Sequence, residues 1–151
     1  MTTLSTLKKF KKDGTKFTCL TCYDAMFPRM MEKAQIDTIL IGDSLGMVVQ
    51  GHDSTLPVTV NDMVYHTANV ARSNKQALIL ADLPFMSYAI QSEAIANSRQ
   101  LMQAGAHVIK LEGGSELCGL VTILAQAGTP TCVHLGLTPQ SVNVFGGYKI
   151  Q

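Results

Sequence analysis

The chain has 151 residues, of which 46% are hydrophobic and 15% charged. This composition can form the core of one globular domain, and it excludes a disordered or collagen-like chain. No apolar run is long enough to span a membrane, and no basic tip followed by an apolar block marks a secretory signal, so we expect a cytoplasmic protein. The net charge of only +1 gives no general attraction to nucleic acid.

A cluster of five lysines lies in the first 16 residues, where Leu4, Leu7 and Phe10 recur at helical spacing. This pattern predicts an amphipathic lead-in helix over about residues 2–12, with the lysines on its solvated face. A nucleic-acid patch is the alternative, and we do not favour it. We therefore expect neither nucleic acid nor membrane as a partner.

Five apolar runs rich in β-forming residues follow the lead-in helix. They cover residues 17–23, 38–42, 77–83, 107–111 and 130–135. Amphipathic stretches lie between them and predict helices over about 25–35, 60–71, 90–104 and 116–127. The start and stop signals are Pro28 in a first turn, a capping box of Thr59 and Asp62, a cap at Ser115, and glycines at 105 and 128.

Alternation of strand and helix predicts parallel strands joined by right-handed crossovers. The two candidate folds are a doubly wound sheet and a (β/α)8 barrel. No G-x-G-x-x-G motif follows the first strand, which argues against the doubly wound sheet. A barrel needs eight strands, and only five are present. We therefore predict one domain over residues 1–151 that holds five βα units of a barrel and stops partway through it.

The four cysteines, at positions 19, 22, 118 and 132, are expected to be reduced and structural. Cys19 and Cys22 form a C-x-x-C motif, but on a strand two residues three positions apart face opposite sides. A redox pair needs the motif at a helix start, and a zinc site needs a second close pair.

Three acidic residues close successive predicted strands, namely Asp43, Asp82 and Glu112. In parallel α/β folds the carboxyl ends of the strands gather at one edge, where ligands bind. Carboxylates that converge there repel one another unless a cation lies between them, and a few hard oxygen ligands favour Mg²⁺. The alternative for any single acid is a helix N-cap, which is our interpretation of Asp24.

Three further residues at this edge carry candidate roles. Lys110 lies two residues before Glu112 and therefore faces the same side of its strand; it either forms a structural ion pair or receives an anionic substrate oxygen. His134 ends the fifth strand, where a histidine is more often structural than catalytic. Ser44 either donates a hydrogen bond from its hydroxyl to an oxyanion of the ligand or serves only as the N-cap of the following helix.

These segments together resemble one enzyme family. The block Ile41–Thr59 and the segments Ala81–Phe85, Lys110–Gly114, His134–Gln140 and Asn143–Lys149 are similar to ketopantoate (3-methyl-2-oxobutanoate) hydroxymethyltransferases. The resemblance implies a Mg²⁺-dependent TIM barrel of the phosphoenolpyruvate/pyruvate type. It also implies transfer of a hydroxymethyl group from 5,10-methylenetetrahydrofolate to 3-methyl-2-oxobutanoate, through a Mg-stabilised enolate, to give 2-dehydropantoate for pantothenate biosynthesis.

Carried over by motif, the resemblance implies that Asp43 and Asp82 bind the metal, with Glu112 near it directly or through water. The keto acid would lie against Asp43, Ser44, Asp82, Lys110 and His134. The family's general base is a Glu beyond residue 151, so we expect no catalytic base within this chain. The family also implies a homo-oligomer.

One departure from the family pattern is Val133, which stands where a Gly is usual and is expected to crowd the pocket floor. Two alternatives to the transferase stay open on the sequence. One is a non-catalytic fragment that lacks the base, and the other is a different Mg-dependent 2-oxo acid lyase of the same barrel class.

Overall fold

A computed structural model describes all residues from 1 to 151. Its helices are α1 (Leu4–Asp13), α2 (Phe27–Lys33), α3 (Leu45–Val48), α4 (Val60–Ser73), α5 (Gln91–Ala104), α6 (Cys118–Gln126) and α7 (Val142–Phe145). Its strands are β1 (Cys19–Thr21), β2 (Thr38–Ile41), β3 (Leu78–Asp82), β4 (Val108–Glu112) and β5 (Thr131–His134). Every predicted strand and the lead-in helix are confirmed, with ends that differ by a few residues.

The five strands form one parallel sheet in the sequential order β1-β2-β3-β4-β5. Alternate strand residues, such as Ile39, Ile79 and Ile109, are fully buried in the hydrophobic core together with Met63 of α4 and Leu101 of α5. In a (β/α)8 barrel the strands also lie side by side in sequence order, with the helices packed on the outer face only. The sheet therefore has the arrangement of one part of such a barrel. The prediction of a partial barrel is confirmed.

The other face of the sheet lines a hollow of about 480 Å³. Leu40 and Leu80 face it from the strands, and Leu4 and Leu7 of α1 contribute from the lead-in helix. The apolar positions that predicted an amphipathic α1 therefore face this hollow. None of the helices combines the length and the apolarity that crossing a bilayer requires.

The helix signals in the sequence are confirmed in most cases. The Thr59 hydroxyl accepts the Asp62 N–H and the Asp62 carboxylate accepts the Thr59 N–H, which completes the capping box of α4. Ser115 is different. It forms no capping hydrogen bond and lies in a 3-10 turn before α6, where the N–H groups of Leu117 and Cys118 donate to the backbone oxygens of Gly114 and Ser115.

The cysteines are all free thiols. Cys19 is exposed on β1, whereas Cys22 is buried in the core. The prediction that the two sulfurs diverge is confirmed.

Gly105 ends α5 with a φ of +114°, and a Cβ added there would lie 2.3 Å from the Cβ of Ala71 in α4. The close approach of α4 and α5 therefore depends on this glycine. Gly128 also has a positive φ, +79°, but nothing lies within 4 Å of its added Cβ.

We expect Gly105→Ala to lower the free energy of unfolding more than Gly128→Ala does. Both substitutions place an L-residue at positive φ, at a cost of about 1 to 2 kcal/mol, but only the first overpacks a helix contact, for about 1 to 3 kcal/mol more. Urea unfolding followed by circular dichroism measures the difference. Equal losses in the two variants would contradict the packing role of Gly105.

Candidate active site

The three predicted acids lie together at the carboxyl edge of the sheet. Asp82 and Glu112 are the last residues of β3 and β4, and Asp43 follows β2 by two residues. All three are buried, with 2%, 7% and 3% of their surface exposed respectively. Buried carboxylates require partners, and Lys110 and Gln140 are each a partner to two of the three acids.

Lys110 is the cation at this edge. Its Nζ donates to Asp82 Oδ2 at 2.9 Å and lies 3.6 Å from Glu112 Oε1. The β3–β4 register places Asp82 opposite Lys110, and the two-residue spacing places Glu112 on the same side of β4. Burial alone would lower the pKa of Lys110, but its attraction to Asp82, Glu112 and Asp43 outweighs this and raises the pKa, so the side chain is charged.

Gln140 joins the strand ends from the turn after β5, and the sequence reasoning assigned it no role. Its Nε2 donates to Asp43 Oδ2 at 2.8 Å and to the backbone oxygen of Leu83 at 2.9 Å. Its backbone N–H donates to Glu112 Oε2 at 3.1 Å. The Tyr88 hydroxyl lies 2.6 Å from Gln140 Oε1.

The acids do not form a ready-made cluster of three metal ligands. Lys110 links Asp82 to Glu112, and Gln140 links Glu112 to Asp43. One oxygen of each aspartate is nevertheless free. Asp82 Oδ1 is buried without a hydrogen-bond partner, and Asp43 makes its only side-chain hydrogen bond through Oδ2. Two free carboxylate oxygens on neighbouring strand ends fit a hard divalent cation.

Burial and mutual repulsion make this edge electrostatically costly. Burial, followed by repulsion from Asp82, raises the pKa of Asp43 to about 7. Burial also raises the pKa of Asp82, against the opposing effect of Lys110. Such perturbed carboxyl groups are typical of binding and catalytic sites.

Gly42 lies in the loop after β2, next to Ser44 and Asp82. A Cβ added there would lie 3.1 Å from Ser44 Oγ and 3.6 Å from Asp82 Oδ2. The neighbouring backbone N–H of Asp43 donates to Asp82 Oδ2 at 3.1 Å. A side chain at Gly42 would therefore crowd the Ser44 hydroxyl, whereas its contact with Asp82 would be of ordinary van der Waals length.

His134 and Ser44 occupy the edges of this group. His134 Nδ1 lies 3.2 Å from Glu112 Oε1, and about a third of the side chain is exposed. Ser44 Oγ lies 3.1 Å from the Tyr23 hydroxyl and makes no capping hydrogen bond to α3. Asp24 accepts the N–H groups of Met26 and Phe27 from the turn before α2, but the N-cap position itself is held by Met26, so Asp24 is not the N-cap residue that we expected.

Val133 does not crowd the pocket floor, and that prediction is wrong. Side chains alternate along β5, so Val133 packs against the hydrophobic core on the helical side while His134 lies beside Glu112. The departure from Gly therefore changes core packing and not the shape of the site.

Gln140 and Tyr88 are the site residues that sequence reasoning missed. Gln140 lies within the segment His134–Gln140 on which the family resemblance rests, but an uncharged amide is not an obvious ligand. Tyr88 lies in a loop of no regular structure between β3 and α5. The only sequence signal for a site role of Gln140 was its place as a polar residue directly after Thr138 and Pro139.

Comparison with known proteins assigns the sequence to a family. The sequence model described as ketopantoate hydroxymethyltransferase matches residues 1–151. A 3-methyl-2-oxobutanoate hydroxymethyltransferase of Psychrobacter arcticus is 91% identical over the whole chain, and one of Acinetobacter baylyi is 64% identical. The chain spans 57% and 56% of the lengths of these two relatives.

Solved structures of the same fold are more distant in sequence. A 2,3-dimethylmalate lyase of the PEP mutase/isocitrate lyase superfamily superposes with a TM-score of 0.60 at 16% identity, covering 88% of this chain and 51% of the lyase. A phosphonopyruvate hydrolase in complex with oxalate and Mg²⁺ gives a TM-score of 0.60 at 18% identity, covering 74% and 39%. These similarities show the fold, and the family match over all 151 residues, with relatives of 64–91% identity, shows that the chain belongs to the ketopantoate hydroxymethyltransferases.

Proposed function

We propose that this chain carries the metal and oxo-acid site of a 3-methyl-2-oxobutanoate hydroxymethyltransferase. The proposed reaction transfers a hydroxymethyl group from 5,10-methylenetetrahydrofolate to 3-methyl-2-oxobutanoate and yields 2-dehydropantoate. The observation that carries the proposal is the pair of free oxygens, Asp43 Oδ1 and Asp82 Oδ1, on adjacent strand ends. The names of the close relatives agree with it.

The proposed metal ligands are Asp43 and Asp82, with Glu112 close by, directly or through a water. A buried carboxylate oxygen without a partner is destabilising, and binding a cation would remove that cost. Mg²⁺ suits the site because it takes few protein oxygens and keeps positions for water and substrate. A bound divalent cation would supply Lewis-acid polarisation of the oxo-acid oxygens.

The chain's own residues would hold the rest of the substrate. Lys110 is a charged donor at the centre of the site and would attract a carboxylate or an oxyanion. Ser44 and His134 lie at the edges and would add hydrogen bonds to the same ligand. Together these groups would orient a small 2-oxo acid with its oxygens toward the acids of the sheet edge.

Proton removal from C3 of the oxo acid requires a general base. Glu112 accepts hydrogen bonds from Gln140 and His134, and Asp82 pairs with Lys110, so these acids are engaged in holding the site. We propose that the base, like the surface that holds the folate and the homo-oligomer contacts, is supplied by parts of the full-length enzyme that this chain does not include. The assignment of Asp43, Ser44, Asp82, Lys110 and His134 to substrate binding is part of the same proposal.

The metal site can be tested with the purified 151-residue chain and Mn²⁺ as a spectroscopic substitute for Mg²⁺. We expect the chain to bind one Mn²⁺ and Asp82→Asn to weaken that affinity more than about 10-fold, since loss of even an outer partner of a metal ligand costs that much. Electron paramagnetic resonance of free Mn²⁺ measures the affinity. Asp13→Asn, the same change at an exposed residue at the end of α1, is the control. Equal affinity in the wild-type and Asp82→Asn chains would refute the ligand role.

The stability of the metal-free chain should depend on pH through Asp43. Its folded-state pKa is raised from 3.8 to about 7, so the folded state favours the protonated carboxyl. The stability contributed by this group is complete below about pH 4 and is lost as the pH rises to about 7. Over that range the loss is at most about 4 kcal/mol.

Asp43→Asn is neutral at every pH and should not undergo this loss. We therefore expect the variant to be more stable than the wild type at pH 8 and to lose that advantage toward pH 4, by urea unfolding in the presence of a chelator. Asp13→Asn is again the control. A stability difference that does not change between pH 4 and pH 8 would contradict the predicted ionisation of Asp43.

The 151-residue chain should not catalyse proton exchange at C3 of 3-methyl-2-oxobutanoate, because the free oxygens of Asp43 and Asp82 are the proposed metal ligands and Glu112 is already hydrogen bonded. Proton NMR in deuterium oxide with Mg²⁺ measures this exchange against a protein-free control. Exchange above that control which disappears in Asp43→Ala would show that the chain itself contains a base.

A further inference from the structure

Gln140 contacts three strand ends through one side chain and one backbone N–H. The amide nitrogen bonds Asp43 after β2 and the backbone oxygen of Leu83 after β3, and the backbone N–H bonds Glu112 at the end of β4. The residue itself follows β5 and is only 6% exposed. Gln140 is the only residue whose side chain or backbone hydrogen bonds the Asp43 carboxylate.

The orientation of the Gln140 amide follows from its surroundings. The Leu83 carbonyl is an acceptor only, and so is the Asp43 carboxylate in the ionised form that binds a metal, so the amide nitrogen must face them. The amide oxygen then faces the Tyr88 hydroxyl at 2.6 Å. A flipped amide would place an acceptor against two acceptors. The single proton of the Tyr88 hydroxyl has two acceptors, Gln140 Oε1 at 2.6 Å and the Glu112 backbone oxygen at 2.9 Å, of which Gln140 is the nearer.

We infer that Gln140 is a positioning residue for the divalent-cation site, with Tyr88 fixing its orientation. Gln140 binds Asp43 Oδ2 and thereby leaves Oδ1 as the oxygen that is free to coordinate. Lys110 and the Asp43 N–H do the same for Asp82 by binding its Oδ2. The inference rests on the proposed metal site and adds the reason why each aspartate presents one particular oxygen.

A neutral amide suits this task better than a charged side chain. A second cation beside Asp43 would compete with the metal ion for the carboxylate, whereas an amide N–H holds one oxygen without cancelling the charge. The amide also has one acceptor and two donor hydrogens, and all of these groups are used here. Partners that orient metal ligands in this way typically contribute 10- to 100-fold to metal affinity.

The test is a double-mutant cycle on Mn²⁺ affinity with the purified 151-residue chain. We expect Gln140→Met, which keeps the length but removes the donor, to weaken Mn²⁺ binding about 10-fold. Tyr88→Phe removes one hydroxyl and should weaken it about 3-fold. In the Gln140→Met background, Tyr88→Phe should have a smaller effect than in the wild type, because only the hydroxyl's bonds to the Glu112 backbone remain to be lost.

Leu124→Val is the matched control for a loss of stability alone. Leu124 is buried in α6 away from the acids, and the substitution should cost about 1 kcal/mol without changing Mn²⁺ affinity. If Gln140→Met does not fold, the Tyr88→Phe affinity decides the inference.

The outcomes separate this inference from the proposed function. A wild-type chain without Mn²⁺ affinity would overturn both. Wild-type binding that is unchanged in Gln140→Met, or weakened equally by Leu124→Val, would overturn the positioning role of Gln140 and leave the metal site standing. Independent effects of the two substitutions would overturn the coupling through Tyr88.

Discussion

The burial of three carboxylates at one edge of a parallel sheet is the constraint on which the site depends. Each carboxylate loses most of its hydration there, and Asp43 and Asp82 repel each other. One partly buried ammonium, from Lys110, and one buried amide, from Gln140, are the main internal partners. These partners bind the Oδ2 atoms of the two aspartates and leave an oxygen of each without a protein partner, which is the arrangement that favours a divalent cation.

The two faces of the sheet have different surroundings and different roles. The outward residues of the strands pack with the helices in one hydrophobic core, which holds the strand ends in place. The inward residues line a hollow and end in the acids and Lys110. Because the core does not depend on the acidic edge, that edge can keep unfavourable charges that a purely structural sheet would not retain.

Much of the fold and part of the site could be predicted from the sequence. The strands, α4 with its capping box, and the shared side of Lys110 and Glu112 follow from local periodicity, and all were confirmed. The errors at Ser115 and Val133 have local causes. The N–H groups that Ser115 would cap donate to backbone oxygens in a 3-10 turn, and Val133 faces the helices because side chains alternate along β5. Gln140 was missed because its partners are 28 to 97 residues away in the sequence.

The sequence by itself determined the order of strands and helices, the acidic residues that end the strands, and the family to which the chain belongs. These properties are local, since they depend on side-chain period, turn residues and contiguous motifs. Only the tertiary structure decided which oxygen of each aspartate is bound and which is free. That choice depends on hydrogen bonds between residues distant in the sequence, and neither spacing nor composition encodes the direction of a hydrogen bond.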